Sequence, residues 1–188
     1  MYRAQSHSHK YEEHAYVLDF NSRGKSATVK GREGIIITAI GEDHLTLLEI
    51  LGVPNSTFEI GEKIYIGKDG RTKVSSVLGK MEYGHITSSA QSELLTVVEN
   101  IVTINEKKFV DYLNNAQPLT PRIHALELIP GIGKTYMKTM LEEREHQKFE
   151  SYVDLQERVG FKDPVKHISE RIIDEISGES RMNLFVKR

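Results

Sequence analysis

The run Leu126-Glu127-Leu128-Ile129-Pro130-Gly131-Ile132-Gly133-Lys134-Thr135 constrains the fold more than any other stretch of the chain. Proline followed by glycine, a hydrophobe and a second glycine stops a helix, and the two glycines permit backbone shapes that a side chain forbids. The residues before the turn read as a short helix. Thr120 can cap it, Pro121 suits its first helical position, and Leu126 and Ile129 lie three apart on one face. A second helix opens at Gly133, with Met137, Met140 and Leu141 recurring at helical spacing. The amides of Gly133, Lys134 and Thr135 stand at the start of that helix, without carbonyl partners inside it. They form an anion site that the helix dipole reinforces, and Lys134 sets a mobile positive charge beside them.

This pattern resembles the helix-hairpin-helix motif, a grip for backbone phosphate. Gly131, Ile132, Gly133, Lys134 and Thr135 are therefore the first candidate binding residues. Two other readings compete. A Walker-type phosphate loop needs a glycine at position 128, where Leu128 stands, and a strand before it rather than a helix. A plain turn between packed helices accounts for Pro130-Gly131. It does not account for Gly-Ile-Gly followed by a lysine and an amphipathic helix.

A chain of 188 residues holds one ordinary domain or two small ones. With 38% hydrophobic and 28% charged residues it is globular rather than disordered. No apolar run is long enough to span a membrane, and Met1-Tyr2-Arg3-Ala4-Gln5-Ser6-His7 lacks the core of a secretory signal. The absence of cysteine excludes disulfides and thiolate metal sites, so a cytoplasmic protein is expected. The net charge of −2 gives no global field for a polyanion, so any nucleic-acid contact must use local patches.

Residues 1–10 read as a polar tail containing His7 and His9. Residues 11–80 read as five short strands with glycine-containing turns. Tyr16, Leu18 and Phe20 alternate on one face, and the run from Ile35 to Ile40 suits a strand covered on both sides. Five strands in so few residues suggest a small closed or nearly closed barrel, either OB-like or SH3-like. Two of its loops are basic. Residues 21–34 carry Arg23, Lys25, Lys30 and Arg32 against Glu33, and residues 68–73 carry Lys68, Arg71 and Lys73 against Asp69. In an OB fold these positions flank the nucleic-acid face. Tyr65, beside Lys63, is a candidate platform for an unpaired base.

Residues 81–117 change to helical spacing, with Leu94, Leu95, Val98, Ile101, Val102, Phe109, Val110 and Leu113 apolar and Ser88 or Ser89 as the start. The segment is net acidic and reads as a connector. Beyond the hairpin, Ser151 can cap a helix with Asp154 three residues on. Val159-Gly160-Phe161-Lys162-Asp163-Pro164 then reads as a degenerate second hairpin, Asp163 capping a helix that carries Val165, Ile168, Ile172 and Ile176. The tail over residues 181–188 is partly apolar and suits either a docked strand or a partner contact.

Together, the strand-rich start with His14-Ala15-Tyr16-Val17-Leu18-Asp19-Phe20, the segment Gly61-Glu62-Lys63-Ile64-Tyr65-Ile66-Gly67, the hairpin, Leu141-Glu142-Glu143-Arg144 and Phe149-Glu150-Ser151 resemble an archaeal family of unknown function, DUF655. The resemblance covers nearly the whole chain. It implies an α+β protein with an OB-like five-stranded barrel over residues 11–80, a helical connector over 81–117 and a tandem helix-hairpin-helix module over 118–188. The implied partner is nucleic acid, alone or with ribonucleoprotein, transcription or translation components, and not a membrane. RNA is favoured over DNA by analogy with OB barrels that carry basic loops. No cofactor or metal is expected, because the histidines are scattered. The competing functions are a protein-interaction scaffold and a lesion-processing enzyme. The second would rest on Asp154 and lacks a lysine at Met137.

Overall fold

The computed structural model describes residues 11–187. The polar tail expected over residues 1–10, with His7 and His9, lies outside them. The described residues divide into two compact units, one running to Glu93 and taking in residues 186–187, the other Leu94–Phe185. Each is taken in turn.

The first unit is a curled antiparallel half-barrel of five strands. They are β1 (His14–Lys25), β2 (Glu33–Gly41), β3 (Leu47–Gly52), β4 (Lys63–Tyr65) and β5 (Val74–Lys80), in the order β4-β1-β2-β3-β5. Every pair is antiparallel, and no ladder joins β4 to β5 among the described residues. The expected barrel therefore has an open seam. β2 is buried on both faces along most of its length, as the run Ile35–Ile40 suggested, and so are the adjoining parts of β1 and β3. Ala15, Val17, Ile37, Ala39, Leu48 and Ile50 form the inner cluster, while Tyr16, Leu18, Ile36, Ile40 and Leu47 are buried on the other face.

The expected alternation of Tyr16, Leu18 and Phe20 fails, for a local reason. The register shifts between Val17 and Asp19, a bulge that turns the strand over. Phe20 consequently packs with the face that holds Val17, not with Tyr16 and Leu18. A second shift lies between Asn21 and Gly24, and β1 continues to Lys25. The basic stretch read as a loop over residues 21–34 is thus half strand, with residues 26–32 forming the loop between β1 and β2. After β5, Thr87 donates to Asp19 (2.6 Å), and the amide of Lys187 donates to the carbonyl of His44 (3.1 Å).

Five helices follow: α1 (Ser88–Ile104), α2 (Glu106–Asn115), α3 (Lys134–His146), α4 (Tyr152–Val159) and α5 (Pro164–Ser177). α1 starts at Ser88, one of the two serines expected there, and Thr87 before it is the cap, its hydroxyl accepting from the Ala90 amide at 3.1 Å. Val97 is buried with Leu94, Val98, Ile101 and Val102, whereas Leu95 is 43% exposed. Asn114 holds the start of α4's lead-in through two 2.8 Å bonds with the backbone of Phe149. Ser151 caps α4 as its sequence suggests, at 3.0 Å from the Asp154 amide. Asp163 precedes α5 in a left-handed conformation, and its side chain makes no cap bond. The end of the second unit docks on α5. Buried Glu175 pairs with Arg171 and accepts from the amides of Leu184 and Phe185, and Phe185 packs against Phe109 and Tyr112.

Candidate nucleic-acid interface

The turn at residues 129–134 is built differently from its sequence reading. No α-helix capped by Thr120 precedes it. Thr120 instead closes a small turn by accepting from the amides of Arg122 and Ile123. A short 3-10 helix, Ala125–Leu128, does lead into the glycines, and its cap is His124. The His124 ring accepts from the Leu126 amide (3.0 Å), and Glu127 returns the bond by accepting from the His124 amide (3.2 Å). Burial, aided by the nearby positive charge of Arg144, holds the His124 pKa below its ordinary value. A neutral imidazole suits this acceptor role.

The two glycines serve different purposes. Gly131 has φ of +83° and lies against the ring of His167, 2.9 Å from where a Cβ would stand. Gly133 has an ordinary φ of −83°, and nothing lies within 4 Å of its missing Cβ. The expectation that a side chain at Gly133 would strain the turn is therefore corrected, because that constraint belongs to Gly131. Gly133 caps α3 with no side-chain acceptor, so the amides that follow it are left to solvent. Gly131, Gly133, Lys134 and Thr135 are exposed. Ile132 is 3% exposed and anchors the turn in the core, with Leu126, Ile129 and Met140 also buried. Lys134 reaches Glu127 at 3.7 Å while remaining largely exposed. The second turn repeats part of this build, since Gly160 has φ of +80° and buried Phe161 follows it. His167, absent from the sequence reading, stacks on Phe161 at 5.0 Å.

In the half-barrel, the cations fall into two groups. Arg23, Lys25, Lys30 and Arg32 lie on the β1–β2 arm, all four are exposed, and none has an acidic partner among the described residues. The arm's backbone, in contrast, is fixed by Glu49 of β3, a residue the sequence did not mark. Its carboxylate is 2% exposed and accepts from the Ala27 amide (2.9 Å), from the Thr28 amide and hydroxyl (3.3 and 2.7 Å) and from the Ser26 hydroxyl. Burial pushes the Glu49 carboxyl up, but these hydrogen bonds outweigh it and set the pKa below the ordinary value.

In the other group every cation but Lys68 is already engaged by a carboxylate or by backbone carbonyls. Lys63 pairs with Glu42 (3.0 Å), which also accepts from the Tyr16 hydroxyl (2.8 Å). Lys73 pairs with Glu62 and lies 4.6 Å from the Phe58 ring centre. Arg71 donates to the carbonyls of Ile66, Gly67 and Ser75. Lys68 lies 5.8 Å from the ring centre of Tyr11. Tyr65 is half-buried and meets His14 edge-on at 5.4 Å. Asp154 accepts from the Glu150 amide (3.0 Å) and from Arg158 (3.1 Å), so its carboxylate is part of the α4 cap.

This chain belongs to a family described as "Protein of unknown function (DUF655)", whose model matches residues 11–187. It is 42% identical over 180 residues to the uncharacterized protein MJ0038 of Methanocaldococcus jannaschii, covering 95% of this chain and 81% of that one. The crystal structure of Af1531 from Archaeoglobus fulgidus, assigned to the same family, has a TM-score of 0.82 to this structure at 37% identity. The match covers 94% of this chain and all of that one. No helix among the described residues is long and apolar enough to cross a membrane.

Proposed function

We propose that this chain is a nucleic-acid-binding protein that holds backbone phosphate at two places, one in each unit. In the helical unit the grip is the turn Gly131-Ile132-Gly133-Lys134-Thr135, read as a helix-hairpin-helix with Gly160-Phe161 as its degenerate repeat. In the half-barrel, read as OB-like, it is the arm carrying Arg23, Lys25, Lys30 and Arg32. The observation that carries the reading is the start of α3. A bare, exposed glycine caps the helix without a side-chain acceptor, so the leading amides are open to an anion beside the exposed Lys134. The unpaired cations of the arm supply the charge that phosphate binding requires. RNA is the preferred partner by analogy with OB-like barrels, and a cytoplasmic location fits the lack of cysteine.

Binding of the full chain to single-stranded RNA and DNA over a range of salt tests this reading. Affinity is expected to fall linearly on a log–log plot, with a slope set by the number of phosphates neutralised. Failure to bind either polymer at low salt would sink it. The alternative, a scaffold in a nucleic-acid-processing complex, draws on exposed apolar residues of the helical unit, with Ile104 at 57% and Val153 at 63%.

A further inference from the structure

The open seam of the half-barrel is more than an unpaired edge. Between β4 and β5 lies a cavity of 690 Å³, a volume typical of small-molecule sites. Leu48, Ile66 and Val77 give it an apolar lining, and Tyr65 adds an aromatic ring. Lys68, Lys80 and Lys187 also line it, and none has a carboxylate partner among the described residues. Three acids, Glu12, Glu13 and Asp69, share the lining, and Glu12 is already occupied by the amides of Asp43 and His44, at 2.8 and 2.7 Å.

An added peptide strand is a poor occupant for this gap. β4 offers only three residues, and Arg71 has taken carbonyls on both sides: Ile66 (2.9 Å) and Gly67 (2.8 Å) on one, Ser75 (3.4 Å) on the other. The occupant must be held by side chains instead. An aromatic ring, an apolar lining and unpaired lysines together suit a planar base that carries a phosphate. The position of Tyr65 is itself specified. Its hydroxyl lies 2.3 Å from where a Cβ on Gly67 would stand, so only glycine there lets the ring occupy its place.

We infer that the seam cavity binds a nucleotide, its base against Tyr65 and Val77 and its phosphate on Lys68 and Lys80. The nucleotide is either free or an unpaired residue of a strand, and only the second case rests on the nucleic-acid reading above.

The test is amide chemical-shift mapping on the full chain, titrated separately with AMP, adenosine, inorganic phosphate and a short single-stranded RNA. AMP is expected to shift the amides of Thr46, Gly67 and Val77 saturably. The double variant Lys68→Glu/Lys80→Glu should weaken AMP at least about tenfold and adenosine by less than about threefold, since only the phosphate loses its partners. Both lysines are exposed, so the fold should survive. Tyr65→Leu should weaken AMP and adenosine alike, and Gly67→Ala, which displaces the ring, should do the same. If neither AMP nor RNA moves these amides, the inference is overturned. In that case RNA that binds without moving them leaves the wider nucleic-acid reading standing. Phosphate alone matching AMP also overturns it, because the base would then have no role. AMP binding without any RNA binding supports the cavity as a free-nucleotide site and removes the wider reading.

Discussion

Residues 23–32 and 68–73 are both short, basic and next to strands of the same sheet, yet the fold uses their charges in opposite ways. In the first, the backbone is held by a buried carboxylate while Arg23, Lys25, Lys30 and Arg32 are left without acidic partners among the described residues. In the second, Arg71 staples three carbonyls and Lys73 is paired with Glu62. A cation engaged by the protein's own acceptors offers a ligand less, because a new contact must displace an existing one. Counting lysines and arginines does not separate these cases; the partners of each do.

The sharpest way to break this contrast is to remove what orders the first segment. Glu49→Ala leaves the Ser26 and Thr28 hydroxyls and two amides without their acceptor, and about 3 kcal/mol of stability should be lost. Denaturant titration of both proteins measures it. The sign of the pH dependence follows from the depressed pKa of Glu49. Its stabilisation is fully present above the unfolded carboxyl value, about 4.3, and is lost as pH falls through the lower folded value. The parent should therefore lose more stability than Glu49→Ala on acidification below about pH 4.3. Equal losses would mean that this carboxylate does not order the arm.

Next in size is Arg71→Ala, which should cost about 2 kcal/mol by releasing the staple across the seam. Replacing Arg23, Lys25, Lys30 and Arg32 by Ser should do the reverse, with each change within about 0.5 kcal/mol in stability. In binding, that fourfold variant should lower the salt slope by roughly three units, four contacts at about 0.7 each on a single strand. An unchanged slope with unchanged stability would show that these charges are merely solvated.

The same division between structural and free residues separates the two glycines of the turn. Gly131→Ala forces a side chain into a left-handed conformation and against His167, and should cost about 1–2 kcal/mol. Gly133→Ala meets open space at an ordinary φ, and should change stability by about 0.5 kcal/mol or less. Thermal melts of the two variants compare them directly. A larger loss at Gly133 would contradict this account.

The strands, the helices and the mixed α+β class were legible because hydrophobic period changes from two to helical spacing near Lys80. The bulge at Val17/Asp19 was not, since Tyr16, Leu18 and Phe20 alternate whether or not the strand slips a residue. The hairpin glycines were visible, but not which of the two needs its backbone freedom. Positive φ at Gly131 is decided by the path of the turn and by His167, which is 36 positions away in the chain, and no local pattern encodes that. Glu49 was hidden for a similar reason. A lone acid in an apolar strand signals burial only when its donors are known, and here they come from the loop at residues 26–32.

The smallest effect expected concerns Lys134, and it asks whether this lysine belongs with the free cations or with the engaged ones. Its ammonium lies 3.7 Å from Glu127, whose other oxygen accepts from the His124 amide. Exposed pairs of this kind contribute little to stability, so the fold should be indifferent to Lys134→Ala. Binding has two possible dependences on it. If Lys134 touches phosphate directly, Lys134→Ala weakens affinity several-fold, and adding Glu127→Gln leaves most of that loss in place. If Lys134 chiefly neutralises Glu127, the single variant exposes a carboxylate to the incoming phosphate, and Glu127→Gln restores affinity to within about twofold of the parent. The 3.7 Å pairing favours the second outcome, with the single variant weakened by about threefold. A double-mutant cycle on oligonucleotide binding reads the coupling. Full additivity of the two changes would return Lys134 to the group of free cations, beside those of the arm.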